Sequence, residues 1–556
     1  MKLCGSDIIV RTLIDQGVDV LYGYPGGQVL NIFDSLYKYQ DEIKHVLVAH
    51  EQGAAHAADG YSRSTGKVGV CLATSGPGAT NLVTGIATAS LDSVPMVAIT
   101  GNVPNSVIGT DGFQEIDITG ITLPITKHNY FVTSIDDLQD TIREAFQVAA
   151  SGRPGPVLVD VTKDVQVDMY DYEPLPPLPL DEPFPAKGIR IQEAVDCINE
   201  AQRPYIYFGG GVITSEAQDE LLTLAELIDA PIGCSLMGIS AIPTDYPRFL
   251  GMQGLHGHYA SSTAMHDADV IIALGCRFND RCTGNRSKFA RSARIVHIDI
   301  DGAELSKSVQ AAHGLRGDIK KTLQKLIPLL KKAEHPEWQA KIAQLVDEEN
   351  ASLDYREGLT PRNVMTTVNR YLTENTPVAT DVGQHQIWAA QYLNFRNPRR
   401  FISSGGLGTM GFGMGAAIGT QMGTHEHPIL ITGDGSFGMN LTEMATAAAY
   451  KVPMVILLLN NSVLGMVRQM QTLFCDKRYS NTDLHPRGTD FVKVAEGFGL
   501  KAQRVASLEE LANALEAAFA CNGPCLIECP IDKDELVLPM VPPGGSMGDL
   551  IVKVGD

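Results

Sequence analysis

Short apolar runs alternate along the chain with glycine-rich polar turns and with alanine-rich stretches of helical composition. That alternation predicts an α/β fold whose domains are mostly parallel sheets flanked by helices. The run His427 to Thr432 is rich in β-branched residues and reads as a buried strand, Leu441 to Tyr450 as a helix, and Val452 to Leu459 as a second buried strand. Far upstream the pattern returns. A strand gives way to a small-residue helix across Val46 to Tyr61, and Gly69 to Asn81 is again strand, tight glycine turn and helix start. The stretch from Asn81-Leu82 to Val94-Pro95-Met96-Val97 parallels that from Asn440-Leu441 to Val452-Pro453-Met454-Val455, with one residue of slippage. Two α/β units of like design are therefore expected at opposite ends of the chain. Between them, Tyr205 to Val212 reads as a strand entering the turn Gly209-Gly210-Gly211, and Ile295 to Asp301 as a strand ending on acidic residues.

At 556 residues the chain is too long for one core. A proline-rich connector, Met169 to Pro179, and a polar stretch, Asp347 to Ser352, divide it. The expected organisation is a first domain over 1–165, a linker over 166–187, a central domain over 188–340, a linker over 341–359 and a third domain over 360–556.

The chemistry gathers in the turns, because open α/β sheets bind ligands at the carboxyl ends of their strands. Gly433-Asp434-Gly435-Ser436-Phe437 follows one predicted strand and Asn460-Asn461 ends the next. Glycines there let backbone amides approach phosphate oxygens, while Asp434 and Asn461 offer the hard oxygen ligands that magnesium prefers. The pair fits a magnesium-diphosphate clamp. Glu51 opens the small-residue helix after Val46 to His50, where close packing of alanines would desolvate its carboxylate.

Composition narrows the function. A net charge of −20 disfavours nucleic acid and anionic membranes and favours small-molecule chemistry. No apolar run approaches the roughly 20 residues of a membrane span, and the chain opens on an amphipathic helix, Ser6 to Gln16, without a cleavable leader, so a cytoplasmic protein is expected. Its ten cysteines are scattered, several in apolar runs, which predicts free thiols. Cys525 and Cys529 share one face of a predicted strand, where packing accounts for them better than zinc.

The clamp resembles the thiamine diphosphate signature, and along nearly its whole length the chain resembles the catalytic large subunits of the acetohydroxyacid synthase (acetolactate synthase) family. The resemblance is carried by Tyr24-Pro25-Gly26-Gly27, His50-Glu51-Gln52-Gly53, Gly109-Thr110-Asp111-Gly112-Phe113-Gln114-Glu115, Ile125-Thr126-Lys127-His128 and Gly152-Arg153-Pro154-Gly155-Pro156. Further on come Gly405-Gly406-Leu407-Gly408-Thr409-Met410-Gly411 and Leu464-Gly465-Met466-Val467-Arg468-Gln469. The segment Arg277-Phe278-Asn279-Asp280-Arg281-Cys282-Thr283-Gly284 is similar to the FAD-containing biosynthetic branch.

The resemblance implies a three-domain thiamine diphosphate enzyme that decarboxylates pyruvate and joins the two-carbon unit to a second 2-ketoacid. Glu51 would pair with the pyrimidine of the cofactor, with Pro77 and Asn81 beside it, and Met410, next to Gly408, would hold the cofactor folded. Gly383, Gln384, His385, Gly435, Ser436, Gly465 and Met466 would bind the diphosphate, with the Val463 carbonyl as a third metal ligand beside Asp434 and Asn461. Gly27, Phe113, Gln114 and Lys163 would line the substrate approach. A structural FAD would contact Arg153, Gly209, Gly210, Gly211, His256, Gly275, Arg277, Arg281 and Asp299. The family also implies a homodimer or tetramer and a possible small regulatory subunit.

Three departures stand out. Met470 occupies the position where the family carries tryptophan after the Arg-Gln pair, which predicts weaker selectivity for 2-ketobutyrate; Asn279 replaces an aspartate in the FAD segment; and Thr162 replaces the proline before Lys163. The competing readings are a pyruvate oxidase-like flavin oxidoreductase, another thiamine diphosphate carboligase or decarboxylase, and a non-catalytic scaffold.

Overall fold

Each apolar run folds as a strand, and the strands assemble into three six-stranded sheets. The computed structural model describes residues 1–553. After β1 (Lys2–Cys4) come β2 (Val20–Gly23), β3 (Lys44–Leu47), β4 (Gly69–Ala73), β5 (Met96–Asn102), β6 (His128–Val132) and β7 (Pro156–Thr162), then β8 (Met169–Asp171). The central sheet uses β9 (Pro204–Phe208), β10 (Ile232–Cys234), β11 (Phe249–Met252), β12 (Val270–Leu274), β13 (Arg294–Asp299) and β14 (His313–Arg316). The last uses β15 (Val378–Thr380), β16 (Phe401–Ile402), β17 (Ile429–Gly433), β18 (Met454–Asn460), β19 (Lys501–Arg504) and β20 (Pro524–Pro530).

All neighbours within these three sheets pair in parallel, and the inner strands are buried on both faces and read as continuous apolar runs, while edge strands such as Lys501–Arg504 are partly exposed. The first sheet has the order β3-β2-β4-β5-β7-β6 and the third β16-β15-β17-β18-β20-β19. Numbered from each sheet's own first strand, both are 2-1-3-4-6-5. The echo around Asn81 and Asn440 is thus a repeat of topology. Each fourth strand ends on an asparagine tied to an acid on the sixth: Asn102 Nδ2 donates to Asp160 Oδ2 (2.5 Å) and Asn460 Nδ2 to Glu528 Oε1 (2.7 Å). The central sheet, β11-β10-β9-β12-β13-β14, follows instead the 3-2-1-4-5-6 order of doubly wound dinucleotide-binding sheets.

The outer units meet along two helices, Glu51–Thr65 and Gly413–Thr424. Small residues let the backbones touch: a Cβ on Gly419 would lie 1.8 Å from the Ala57 carbonyl oxygen.

Both expected linkers are shorter in the structure. The first, 166–187, contains β8, which pairs antiparallel with β1, so only the stretch after Asp171 runs as an extended proline-rich connector. The second, 341–359, is largely taken up by the helix Pro336–Ser352. Its polar tail misled the reading, because Trp338, Ile342 and Leu345 form a buried stripe at helical spacing and Glu349 Oε1 lies 2.6 Å from His258 Nδ1. Among the described residues no helix is long and apolar enough to cross a membrane.

The Asn102–Asp160 pair yields a stability test. Burial pushes the Asp160 carboxyl from 3.8 up to about 6, against the hydrogen bonds from Thr100 and Asn102. The native state therefore holds this proton more tightly than the unfolded chain, and the resulting stability is full below about pH 4 and lost as pH rises through 6. Asp160→Asn should abolish that loss. In denaturant titrations, the variant is expected to gain on the wild type by up to about 3 kcal/mol between pH 4 and 7.

Candidate active site

The third unit places the predicted clamp at the carboxyl ends of β15, β17 and β18. Gly433 is extended and ends β17, and Asp434 begins a helix, Asp434–Asn440. The segment Asp434 to Phe437 is therefore helical rather than a loop, and the predicted helix Leu441 to Tyr450 resolves into a 3-10 turn, Leu441–Glu443, and a helix, Met444–Ala449. An acid in a first turn is electrostatically favoured, so Asp434 suits this start. Burial nonetheless pushes its carboxyl up to about 6, against backbone N–H groups including those of Asn461 and Gly435 and the charge of Arg487. Such a buried carboxylate, lacking an ion-pair partner, suits a cation.

The neighbouring residues fit that cation and a diphosphate. Asn461 donates from Nδ2 to Gln384 Oε1 (3.2 Å) and accepts at Oδ1 from Val463 N (3.2 Å), and its backbone N–H meets the Asp434 carboxyl, which sets two hard-oxygen side chains side by side. Asn460 is turned away onto Glu528. Among the described residues no cluster of three or more His, Cys, Asp or Glu side chains could hold a metal, so a cation at Asp434 would take amide, carbonyl, water or phosphate oxygens for the rest of its shell. The His385 ring lies against Gly433, where a Cβ would come within 2.7 Å of Nδ1. Its Nε2 is buried without a partner, and burial lowers its pKa to about 3. Gly383 precedes it, and Gly465 is pressed on Gln384, a Cβ there falling 1.9 Å from Oε1. Ser436 Oγ accepts from Gly411 N (3.1 Å), which ties the half-buried Met410 to the Asp434 helix; Gly408 is exposed two residues before. Met466 packs half-buried against the core beneath.

A second half-site forms in the first unit, at the topologically equivalent place after its third strand, β4. Asn81 Nδ2 donates to Glu51 Oε2 (2.9 Å), and Glu51, 9 % exposed, faces Gly78 just past Pro77. Gln114, at φ 61°, packs against the Gly76 turn, while Phe113 beside it is 85 % exposed. Lys163 Nζ donates to Gly27 O (3.1 Å), and partial burial lowers the lysine's pKa. Among the described residues no hydrogen bond or ion pair joins Glu51 to Asp434, Asn461 or Val463 within one chain.

The central unit gathers most of the predicted flavin contacts at the carboxyl ends of β9, β12 and β13. Gly209, Gly210 and Gly211 follow β9; Gly209 and Gly211 meet Gly275 after β12, backbone against backbone, and Gly210 faces Met237. Asp299 ends β13, its carboxyl pushed up to about 6 by burial. His256 is buried with Nδ1 unpartnered, and burial, aided by the Arg281 charge, lowers its pKa to about 4. Arg277 is half-buried and Arg281 exposed. Asn279 caps the short helix that follows it, accepting from Cys282 N (3.0 Å). Arg153 is engaged: its Nη1 pairs with Asp301 (3.1 Å) and Glu304 (2.7 Å) across the seam between first and central units. An orphaned buried nitrogen, a glycine cradle and a terminal acid at the switch point of the sheet fit a dinucleotide.

Sequence reasoning passed over Glu443, Asp381 and Asp92. Asp381, after β15, is buried and accepts from Gly413 N (2.9 Å) and Thr432 Oγ1 (2.8 Å). Glu443 was visible only as helix composition, and nothing local in the sequence marks it as a partner of the first unit.

Three doubly wound units, the outer two alike and each carrying half a site, define a class. The chain matches the N-terminal TPP binding domain of thiamine pyrophosphate enzymes at residues 3–121, their central domain at 191–326 and their C-terminal TPP binding domain at 381–529. Similar proteins include the probable acetolactate synthase large subunit of Methanocaldococcus jannaschii, 44% identical over 98% of this chain and 95% of its own length. The acetolactate synthase large subunit of Corynebacterium glutamicum is 44% identical over 100% of this chain and 91% of its own. Acetolactate synthase isozyme 2 large subunit of Escherichia coli K12 is 43% identical over 99% of this chain and 100% of its own. The chain belongs to the acetolactate synthase large-subunit family of thiamine pyrophosphate enzymes.

The pressed Gly465 tests the diphosphate cradle. Gly465→Ala should push Gln384 and Asn461 apart and weaken thiamine diphosphate binding by at least about tenfold, read by calorimetric titration with magnesium present. Binding at wild-type strength would remove Gly465 from the cradle.

Proposed function

We propose that the chain is the catalytic subunit of an acetolactate synthase. It decarboxylates pyruvate and joins the retained two-carbon unit to a second 2-ketoacid, giving 2-acetolactate or, from 2-ketobutyrate, 2-aceto-2-hydroxybutyrate, for branched-chain amino acid synthesis. The observation that carries this reading is the pair of half-sites, Glu51–Asn81 and Asp434–Asn461, beyond the carboxyl ends of the strands of two like sheets.

Thiamine diphosphate, when bound, supplies the electron sink that lets a 2-ketoacid lose its carboxylate. Glu51, oriented by Asn81, would hydrogen-bond the pyrimidine nitrogen. Asp434, Asn461 and the Val463 carbonyl would hold magnesium, while Gln384, His385 and Ser436 would receive the diphosphate together with the backbone of Gly383, Gly435, Gly465 and Met466. Lys163 draws the substrate carboxylate inward past Gly27, Phe113 and Gln114. By family resemblance a second copy completes each site, which makes a homodimer the smallest active form. FAD fits the central unit on Gly209 to Gly211, His256, Gly275 and Asp299, and serves there as a structural group. The relatives are named large subunits, so a small partner subunit belongs to the same reading.

Anaerobic incubation with pyruvate, thiamine diphosphate and magnesium, with and without FAD, should yield 2-acetolactate and carbon dioxide. Acetate or acetyl phosphate formed only with an electron acceptor would overturn the reading. Glu51→Gln is expected to lower kcat by at least about 100-fold while leaving magnesium binding intact. Met470, half-buried on the helix Gly465–Phe474, is flexible where the family carries a rigid ring. Competition between pyruvate and 2-ketobutyrate should therefore give a weaker preference for 2-ketobutyrate than in tryptophan-bearing relatives; a strong preference would contradict this role.

A further inference from the structure

The outer units exchange buried carboxylates, each given to the loop of the other that carries half of the site. From the third unit, Glu443 is fully buried at the end of the turn that follows the Asp434–Asn440 helix. Its Oε1 accepts from His50 N (3.1 Å) and Ala49 N (3.2 Å), its Oε2 from Thr446 Oγ1 (2.6 Å), and it lies against Gly53, where a Cβ would fall 2.1 Å from Oε1. His50 is the N-cap of the helix that Glu51 opens.

From the first unit, Asp92 ends the helix Val83–Asp92 with its side chain fully buried. It accepts from Gly405 N (2.9 Å) and Gly406 N (2.7 Å) of the third unit, and from Arg63 Nη2 (3.0 Å). Arg63, also paired with Asp59, donates from Nη1 to Ser403 O (2.9 Å), and Thr88 Oγ1 lies 2.7 Å from Thr409 Oγ1. These contacts grip the segment that runs into Met410.

Packing alone does not call for either acid, because burying a carboxylate costs free energy unless charges or N–H donors meet it. Glu443 has no cation partner, and Asp92 shares one arginine with Asp59. The main-chain N–H groups of the two loops supply the remainder. The acids are thus satisfied only when the loops sit as they do.

We infer that Glu443 and Asp92 are positioning residues, Glu443 fixing the start of the Glu51 helix and Asp92, with Arg63, fixing the approach to Met410. The inference rests on the reading that Glu51 and Met410 contact the coenzyme. Each unit sets the geometry of the half-site that the other unit carries. The relevant unit of rigidity is therefore the whole pair of domains.

Amide hydrogen exchange, thiamine diphosphate titration and steady-state kinetics on the full chain test this. Glu443→Asp withdraws the carboxylate by one methylene and should speed exchange at Ala49 and His50 by about tenfold or more, leaving Gly433 to Asn440 unchanged. Its kcat should fall about tenfold while KM for pyruvate stays within about twofold. Glu443→Gln keeps the length and one accepting oxygen, and should restore kcat to within about threefold of the wild type. Asp92→Asn should speed exchange at Gly405 and Gly406 and weaken thiamine diphosphate binding about tenfold, with Ala49 and His50 unaffected. Variants that lose only thermal stability, with wild-type exchange at these amides and wild-type kcat, would overturn the positioning role. A wild type that binds no thiamine diphosphate would overturn the coenzyme reading and the positioning role with it. A wild type that binds and turns over, matched by all three variants, would overturn the positioning role alone.

Discussion

The contact between the helices Glu51–Thr65 and Gly413–Thr424 is the constraint on which the rest of the molecule depends. Alanine and glycine line both partners, so main chain rests on main chain, with Gly419 against Ala57 and Gly60 against Ala416. Side chains with rotamer freedom would allow a range of spacings there. Bare backbone allows one. That spacing sets Glu443 within reach of Ala49 and His50, and Asp92 within reach of Gly405 and Gly406.

Duplication of one topology explains where the two half-sites lie. In each outer sheet the third strand feeds a tight turn into a short helix, at the point where the strand order reverses and the flanking connections part. The first unit uses that opening to present Glu51 with Asn81, and the third to present Asp434 with Asn461. On the proposed reading this opening would serve a heterocycle in one unit and a charged tail in the other, and the difference lies in a few polar residues. The central sheet has a different strand order and a different opening, lined by Gly209 to Gly211, Gly275 and Asp299.

Buried acids recur throughout. Asp160, Asp434 and Asp299 all have carboxyl groups pushed up to about 6 by burial, yet their settings differ. Asp160 is closed in by Thr100 and Asn102 and ties the ends of two strands. Asp434 meets the backbone N–H groups of Asn461 and Gly435 and the charge of Arg487. Asp299 binds the N–H of Asp301 at an open strand end.

Local pattern by itself determined the elements and singled out where ligand chemistry would sit. Apolar runs bounded by glycine became strands within a few residues of their expected ends, the Asn81 and Asn440 stretches proved to be one repeat, and Glu51, Asp434 and Asn461 stood out because turns after parallel strands are where ligands bind. Tertiary structure decided what depends on distance across the chain. Asp347 to Ser352 looked like a linker and is the polar tail of a helix whose buried stripe lies earlier, at Trp338, Ile342 and Leu345. Met169 to Asp171 became a strand because Lys2–Cys4 came alongside it. Glu443 and Asp92 carried no local signal at all, since the partners that satisfy a buried carboxylate, here Ala49, His50, Gly405 and Gly406, are brought to it only when two separately folded sheets dock.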